Sequence, residues 1–124
     1  MPRSTKGEAV EDAVRRQEQA YNAHDVEAFV ACYAEDVVVE DADGNIVMNG
    51  RDDMRERYRR LFAESPDVRA EVVTRIRVGA WVVDEEWVIG RAGGDIHAVA
   101  VYRLDSAGSI DHVRLLLPVP GARY

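Results

Sequence analysis

Three groups of side chains in this sequence have the types and spacing to do chemistry. The first is a carboxylate. Asp41 closes the β-branched run Asp36–Asp41, DVVVED. An acid beside Val37, Val38 and Val39 loses hydration, and desolvation moves its pKa up toward that of a general base. The competing reading is a solvated acid at a strand end, because Asp43-Gly44-Asn45 is a turn signal in which Asp is common. The second group lies in the strand pattern from Ala80 to Gly90. Alternation puts Trp81, Val83, Glu85, Trp87 and Ile89 on one face and Val82, Asp84, Glu86 and Val88 on the other. Glu85 on the more apolar face is a second candidate acid, or the partner of a buried histidine or arginine. The run Asp84-Glu85-Glu86 also reads as a solvated bend.

The third group is neutral. Gln17 sits in the apolar stripe of a helical segment, where a buried amide needs partners. Tyr21, Tyr33, Tyr58 and Tyr102, four of the five tyrosines, fall on inward faces. Ala98 and Ala100 leave space beside Tyr102. Together with Trp81 and Trp87 as walls, these residues outline a hydroxyl-lined cavity for a small hydrophobic molecule, or else an ordinary packed core. If Ala98, Ala100 and Tyr102 face such a cavity, His97 has the opposite parity and faces away, and His112 and Arg114 alternate in the same way with Val113, Leu115 and Leu117. His24 belongs to a turn.

Other chemistries lack their residues. One cysteine, Cys32, and three scattered histidines make neither a disulfide nor a zinc framework. No Gly-rich phosphate loop or Ser-His-Asp set stands out. No metal or cofactor is expected. Acidic residues number 23 against 16 basic, a formal charge of −7, which excludes the basic footprint of a nucleic-acid or anionic-membrane binder. No apolar run reaches the length of a membrane span and no signal segment follows Met1, so the expectation is a cytoplasmic protein.

The elements that must position these groups follow from periodicity. At 124 residues the chain is one domain, spanning 8–118 between a flexible tail at 1–7 and a short tail at 119–124. Val10, Ala13, Val14, Gln17 and Tyr21 make one face of a first helix. Asp25 caps a second helix presenting Val26, Phe29, Val30 and Tyr33. A short hairpin, Asp36–Asp41 and Ile46–Met48, leads to a third helix, Arg51–Glu64, stopped by Ser65-Pro66. Asp53–Arg57 and Glu56–Arg60 have the spacing of helical ion pairs on its solvated face. Strands follow at 68–78, 80–90, 96–104 and 109–117. Helices first and antiparallel strands after give an α+β fold, a curled sheet closed on one face by three helices, with the ligand place inside the cone.

The segment from Asn22 to Tyr58 resembles the opening of the ketosteroid-isomerase branch of the NTF2-like (SnoaL-like) superfamily. The resemblance rests on Asn22-Ala23-His24-Asp25 between the first helices, Tyr33-Ala34-Glu35-Asp36 leading into Val39-Glu40-Asp41, and Gly50 before the third helix. The later GSIDHVRLLLP resembles the family's final strand. The resemblance implies a cone-shaped NTF2-like domain. It places Asp41 where ketosteroid isomerases hold the carboxylate base that shuttles a proton α to a carbonyl. It gives Tyr58 a supporting part in the oxyanion hole. The principal oxyanion tyrosine falls on Gln17 and the protonated aspartate on Ala100, so the base is retained while both principal donors are replaced.

The resemblance also implies a homodimer through the outer sheet face, in keeping with Val73, Val82, Val88, Val99 and Val101 on the side read as outer. The reading drawn from all of this is a cofactor-independent isomerase- or lyase-type enzyme for a small hydrophobic carbonyl compound, with Asp41 as base and Tyr58 as donor. Gln17, Tyr21, Tyr33, Trp81, Glu85, Trp87, Ala100 and Tyr102 surround the substrate. The rival readings are a non-catalytic binding or dimerisation module of the same fold, a scaffold with a filled interior, and an epoxide hydrolase needing an Asp-Arg-Asp set.

Overall fold

The computed structural model describes residues 5–118, with side chains from residue 13 onward. Helix α1 runs over Thr5–Asn22. It begins inside the expected 1–7 tail; residues 1–4 and the 119–124 tail lie outside the described residues. Its buried positions Ala13, Val14, Gln17, Ala20 and Tyr21 recur at helical spacing. Helix α2, Val26–Val30, starts at Asp25, whose carboxylate accepts the Ala28 N–H at 3.1 Å. It stops short of Tyr33. That residue instead opens strand β1, Tyr33–Glu40, because the Cys32 carbonyl accepts the Ile110 N–H and draws the chain into the sheet.

Strand β2, Ile46–Asn49, returns beside β1, and α3 covers Arg51–Glu64. Then come β3 (Arg69–Val78), β4 (Trp81–Ile89), β5 (Ile96–Leu104) and β6 (Ile110–Leu116). On α3, Glu56 and Arg60 pair at 3.7 Å as expected. The Asp53–Arg57 pair does not form: Asp53 accepts the Asn49 N–H, and Arg57 donates to the Val47 carbonyl. Both side chains are used to fasten the helix to β2.

The six strands make one curved, unclosed sheet in the order β2-β1-β6-β5-β4-β3. The expected antiparallel pattern is broken at one seam, where β1 and β6 run parallel with Val38, Val39 and Glu40 opposite His112, Val113 and Arg114. Each of these strands would otherwise leave an open edge; pairing them joins the hairpin to the meander and satisfies both. No helix among the described residues is long and apolar enough to cross a membrane.

The core lies between the helices and the inner face of the sheet. From the sheet come Val37, Val39, Val82, Val88, Ala100, Tyr102 and Val113; from the helices come Val14, Phe29, Met54, Tyr58 and Phe62. Val82 and Val88 are fully buried here, which corrects their outer-face assignment. Phe29, 1% exposed, is the hub of an aromatic cluster, with ring centroids 4.5 Å from Tyr58, 5.0 Å from Tyr33 and 6.0 Å from Tyr21. Phe29→Ala removes the shared neighbour of three interior tyrosines. It is expected to cost about 3–5 kcal/mol, read from the shift of the urea midpoint at constant m-value.

Candidate functional site

Asp41 lies just past the end of β1, in the β1–β2 turn. Its Oδ1 accepts the N–H groups of Asp43 at 3.0 Å and Asn45 at 2.9 Å, and its Oδ2 accepts from the Asn45 amide at 3.2 Å. Those donors, the Asn45 backbone N–H first, hold its carboxyl below the usual value. The β5–β6 turn repeats the device: Asp105 Oδ1 accepts from Ala107 and Ser109, both at 2.9 Å. In each turn a glycine three residues on, Gly44 or Gly108, takes a positive φ. Asp41 is therefore placed as a turn-forming acid rather than as the desolvated, pocket-facing acid of the first reading. The matching D-x-x-G patterns were present in the sequence.

The face of β4 is also corrected. Trp81 and Trp87 are 40% and 43% exposed, whereas Val82, Asp84, Glu86 and Val88 are buried. Glu85 lies on the outer face, 2.8 Å from His97, whose ring stacks on Trp87 at 4.8 Å. The His97 N–H holds the Glu85 carboxyl below its ordinary value. Trp81 meets Arg103 and His112 on the same face. The register explains the reversal. Directly opposed residues of an antiparallel pair share a face, and Glu86 opposes Ala98 while Asp84 opposes Ala100. The two alanines, read as leaving a cavity, stand across from the two buried acids. Ala100, where the resemblance places a carboxylic acid, thus has one supplied from the next strand.

The interior polar groups converge from five elements, α1, β1, α3, β4 and β5. Tyr33 donates to Gln17 Oε1 at 2.9 Å, and Gln17 Nε2 donates to the Val14 carbonyl at 3.0 Å and the Tyr102 hydroxyl at 3.3 Å. This satisfies the buried amide that the stripe position of Gln17 demanded. Tyr21, Tyr33, Tyr58 and Tyr102 are all inward and at most 4% exposed. Burial, above all, pushes the hydroxyls of Tyr21, Tyr33 and Tyr58 well above their ordinary value, and the charge of Glu86 adds to each shift. Glu86, 2% exposed, is thus a buried carboxylate whose charge acts on all three interior hydroxyls. Reading the apolar face of β4 as the inner one missed it.

A second buried acid is tied to a cation. Arg75 of β3 donates from Nε to Asp84 Oδ1 at 2.7 Å and from Nη2 to Oδ2 at 3.0 Å; Nη2 also reaches Glu18 of α1 at 2.8 Å. Burial raises the Asp84 carboxyl while Arg75 opposes the shift. The guanidinium thereby joins helix to sheet through two carboxylates. On the outer face His112 and Arg114 pair with Glu40 at 2.8 and 2.7 Å. His24, at φ 56, donates from Nε2 to the Val68 carbonyl at 2.6 Å and stacks on Phe62. Among the described residues no cluster of His, Cys, Asp and Glu is placed to hold a metal ion.

The sequence profile of the SnoaL-like domain matches residues 14–113. No curated protein matches the sequence. Among solved structures, an uncharacterized cystatin-fold protein from Novosphingobium aromaticivorans is 25% identical, with a TM-score of 0.78 over 86% of this chain and 96% of that one. A putative ketosteroid isomerase from Kribbella flavida is 19% identical, with a TM-score of 0.75 over 94% and 83%. A computationally designed 17-OHP binder is 20% identical, with a TM-score of 0.73 over 85% and 88%.

The Arg75–Asp84 pair makes a measurable prediction. Arg75→Met leaves Asp84, 1% exposed, without its cation and is expected to cost about 3–5 kcal/mol. An acid with a folded pKa above its unfolded one favours the fold below the unfolded value, about 3.9, and disfavours it as pH rises through the folded value. Denaturation of Arg75→Met should therefore show stability falling from about pH 4 toward neutrality. Adding Asp84→Asn should remove that slope.

Proposed function

The chain belongs to the SnoaL-like domain family, and from that premise we propose that it is a ketosteroid-isomerase-like, cofactor-independent enzyme acting on a small hydrophobic carbonyl compound, with Glu86 as its base. The observation that carries this reading is a carboxylate, Glu86, buried on the inner face of the sheet, whose charge acts on the hydroxyls of Tyr21, Tyr33 and Tyr58. Glu86 takes the proton α to the carbonyl. The C–H electron pair moves into the carbon framework and charge develops on the carbonyl oxygen. Tyr58, in the part the resemblance implies for it, donates to that oxygen; its burial keeps it protonated at any working pH. The protonated Glu86 then returns the proton to a conjugated carbon.

The neighbour described as a putative ketosteroid isomerase supports the reaction class through its fold alone, and the designed 17-OHP binder supports a small apolar ligand in the same way. A second reading, binding without chemistry, is favoured by one observation. Gln17, Tyr33 and Tyr102 spend hydrogen bonds on one another.

Turnover of enones and α-acidic ketones separates these readings. Glu86→Gln is expected to lower kcat by about 10²- to 10⁴-fold. Asp41→Asn, whose carboxylate serves a turn, is expected to stay within about twofold of wild type. The reverse result puts the base at Asp41, as the resemblance implies. Binding with no turnover in any variant establishes the second reading.

The outer face fits a second copy of the chain. Ile76, Val78, Trp81, Trp87 and Leu116 are each more than a third exposed, and the strand register puts all five on the outer side of the sheet. Sedimentation should give a dimer for wild type and a monomer for Trp81→Glu with Val78→Glu. A monomeric wild type refutes the dimer.

A further inference from the structure

We propose that Arg91 is a specificity residue: the interior site takes a small molecule bearing a carboxylate, and Arg91 holds that group. This rests on the reading of the interior as an acid–base site. Arg91 lies in the loop between β4 and β5, and that loop is fixed at several points. The Gly90 N–H donates to Asp95 Oδ1 at 3.0 Å, the Gly94 N–H to the Arg91 carbonyl at 3.0 Å, and the Ala92 N–H to Ser65 Oγ at 2.9 Å. Ser65 is itself buried at the end of α3. Gly90, at φ +81, presses the loop onto the α3–β3 connection so closely that a Cβ there would collide with the Asp67 carbonyl. Gly93 lies against the guanidinium, where a Cβ would stand 2.9 Å from Arg91 Nη1 and 3.4 Å from Nη2. The loop thus packs its own Gly93 against the Arg91 guanidinium.

Three observations say what that side chain awaits. Its Nε is buried and has no hydrogen-bond partner among the described residues. A buried donor left without an acceptor is costly, and such groups in native proteins call for an explanation. Next, acids outnumber bases 23 to 16, and Arg55, Arg75, Arg103 and Arg114 each hold a carboxylate, yet among the described residues Arg91 holds none. Last, its charge reaches Tyr21, the same hydroxyl that senses Glu86 and Tyr58. Cation and carboxylate therefore act on the same interior hydroxyl. A guanidinium so placed matches a carboxylate through two parallel N–H bonds. The chain's net charge of −7 disfavours anions at long range, so an acidic ligand needs such a local anchor.

The ligand class is accordingly a small, largely apolar carbonyl compound with one acid group. That group docks under the loop, and the reacting carbon lies toward Glu86. Calorimetric titration with 6-hydroxy-2-naphthoate, its methyl ester and 2-naphthol tests this. Wild type should bind the acid at least about tenfold more tightly than the ester, and added NaCl should weaken the acid selectively. Arg91→Met should abolish the acid-over-ester preference while affecting 2-naphthol far less. Arg91→Lys, which keeps the charge and loses the fork, should retain part of the preference, and it carries the test if Arg91→Met fails to fold. Equal binding of acid and ester to wild type overturns the proposal. So does a preference that survives in Arg91→Met, or failure of all three probes to bind wild type at millimolar concentration. The acid-to-ester ratio reads Arg91 alone and the turnover of Glu86→Gln reads the base alone, so either assignment can fail without the other.

Discussion

Burying charge on β4 is the constraint around which the interior is arranged. Asp84 and Glu86 both point inward from one strand, and an ionised carboxylate leaves water only at a cost of several kcal/mol unless partners replace the lost hydration. Each acid is met differently. Asp84 receives a two-pronged guanidinium from β3, which also catches Glu18 and so draws α1 onto the sheet. Glu86 is buried on the same inner face as the tyrosines of α1, β1 and α3, and its charge acts on all three hydroxyls. Ala98 and Ala100 on β5 leave room across the ladder for both carboxylates. The placement of α1, the choice of small residues on β5 and the clustering of tyrosines are thus consequences of one decision about which face of β4 is inner.

That decision is reinforced from the other end of the sheet. The parallel pairing of β1 with β6 merges a two-stranded hairpin and a four-stranded meander into one surface. Without it the hairpin would be a marginal appendage and Tyr33 would have no fixed place. With it, Tyr33 begins a strand, turns inward and donates to Gln17. A residue read as helical becomes part of the sheet because a distant strand captures the backbone beside it. Asp41 is affected in the same way. Its strand parity alone agrees with Val37 and Val39, yet β1 stops one residue earlier, and the turn beyond it claims both carboxylate oxygens.

The outer face shows how apolar counting misleads in an open sheet. Trp81, Trp87, Val78 and Ile76 outweigh anything on the inner side of β3 and β4, and an unaided count makes theirs the core side. Charges on that face, Glu85 with His97 and Glu40 with His112 and Arg114, are arranged in pairs that remain wet or half-wet. The acids of the inner face are instead sealed.

The sequence by itself determined what local forces control. Helical spacing marked α1 and α3, the Asp25 cap marked α2, and glycine turns set the hairpins. The inward positions of Gln17, Tyr21 and Tyr58 followed from helical periodicity and that of Tyr102 from the resemblance, and the resemblance carried by Asn22–Tyr58 identified the fold. Tertiary structure decided everything that depends on which of two faces meets the helices. A strand's alternation is symmetric, and nothing local distinguishes a buried carboxylate from a solvated one. Only the pairing of Glu86 with Ala98 and the reach of Arg75 from a neighbouring strand break that symmetry. Each brings together groups that are far apart in the chain or belong to different strands. Burial energies act on that arrangement and not on the order of residues.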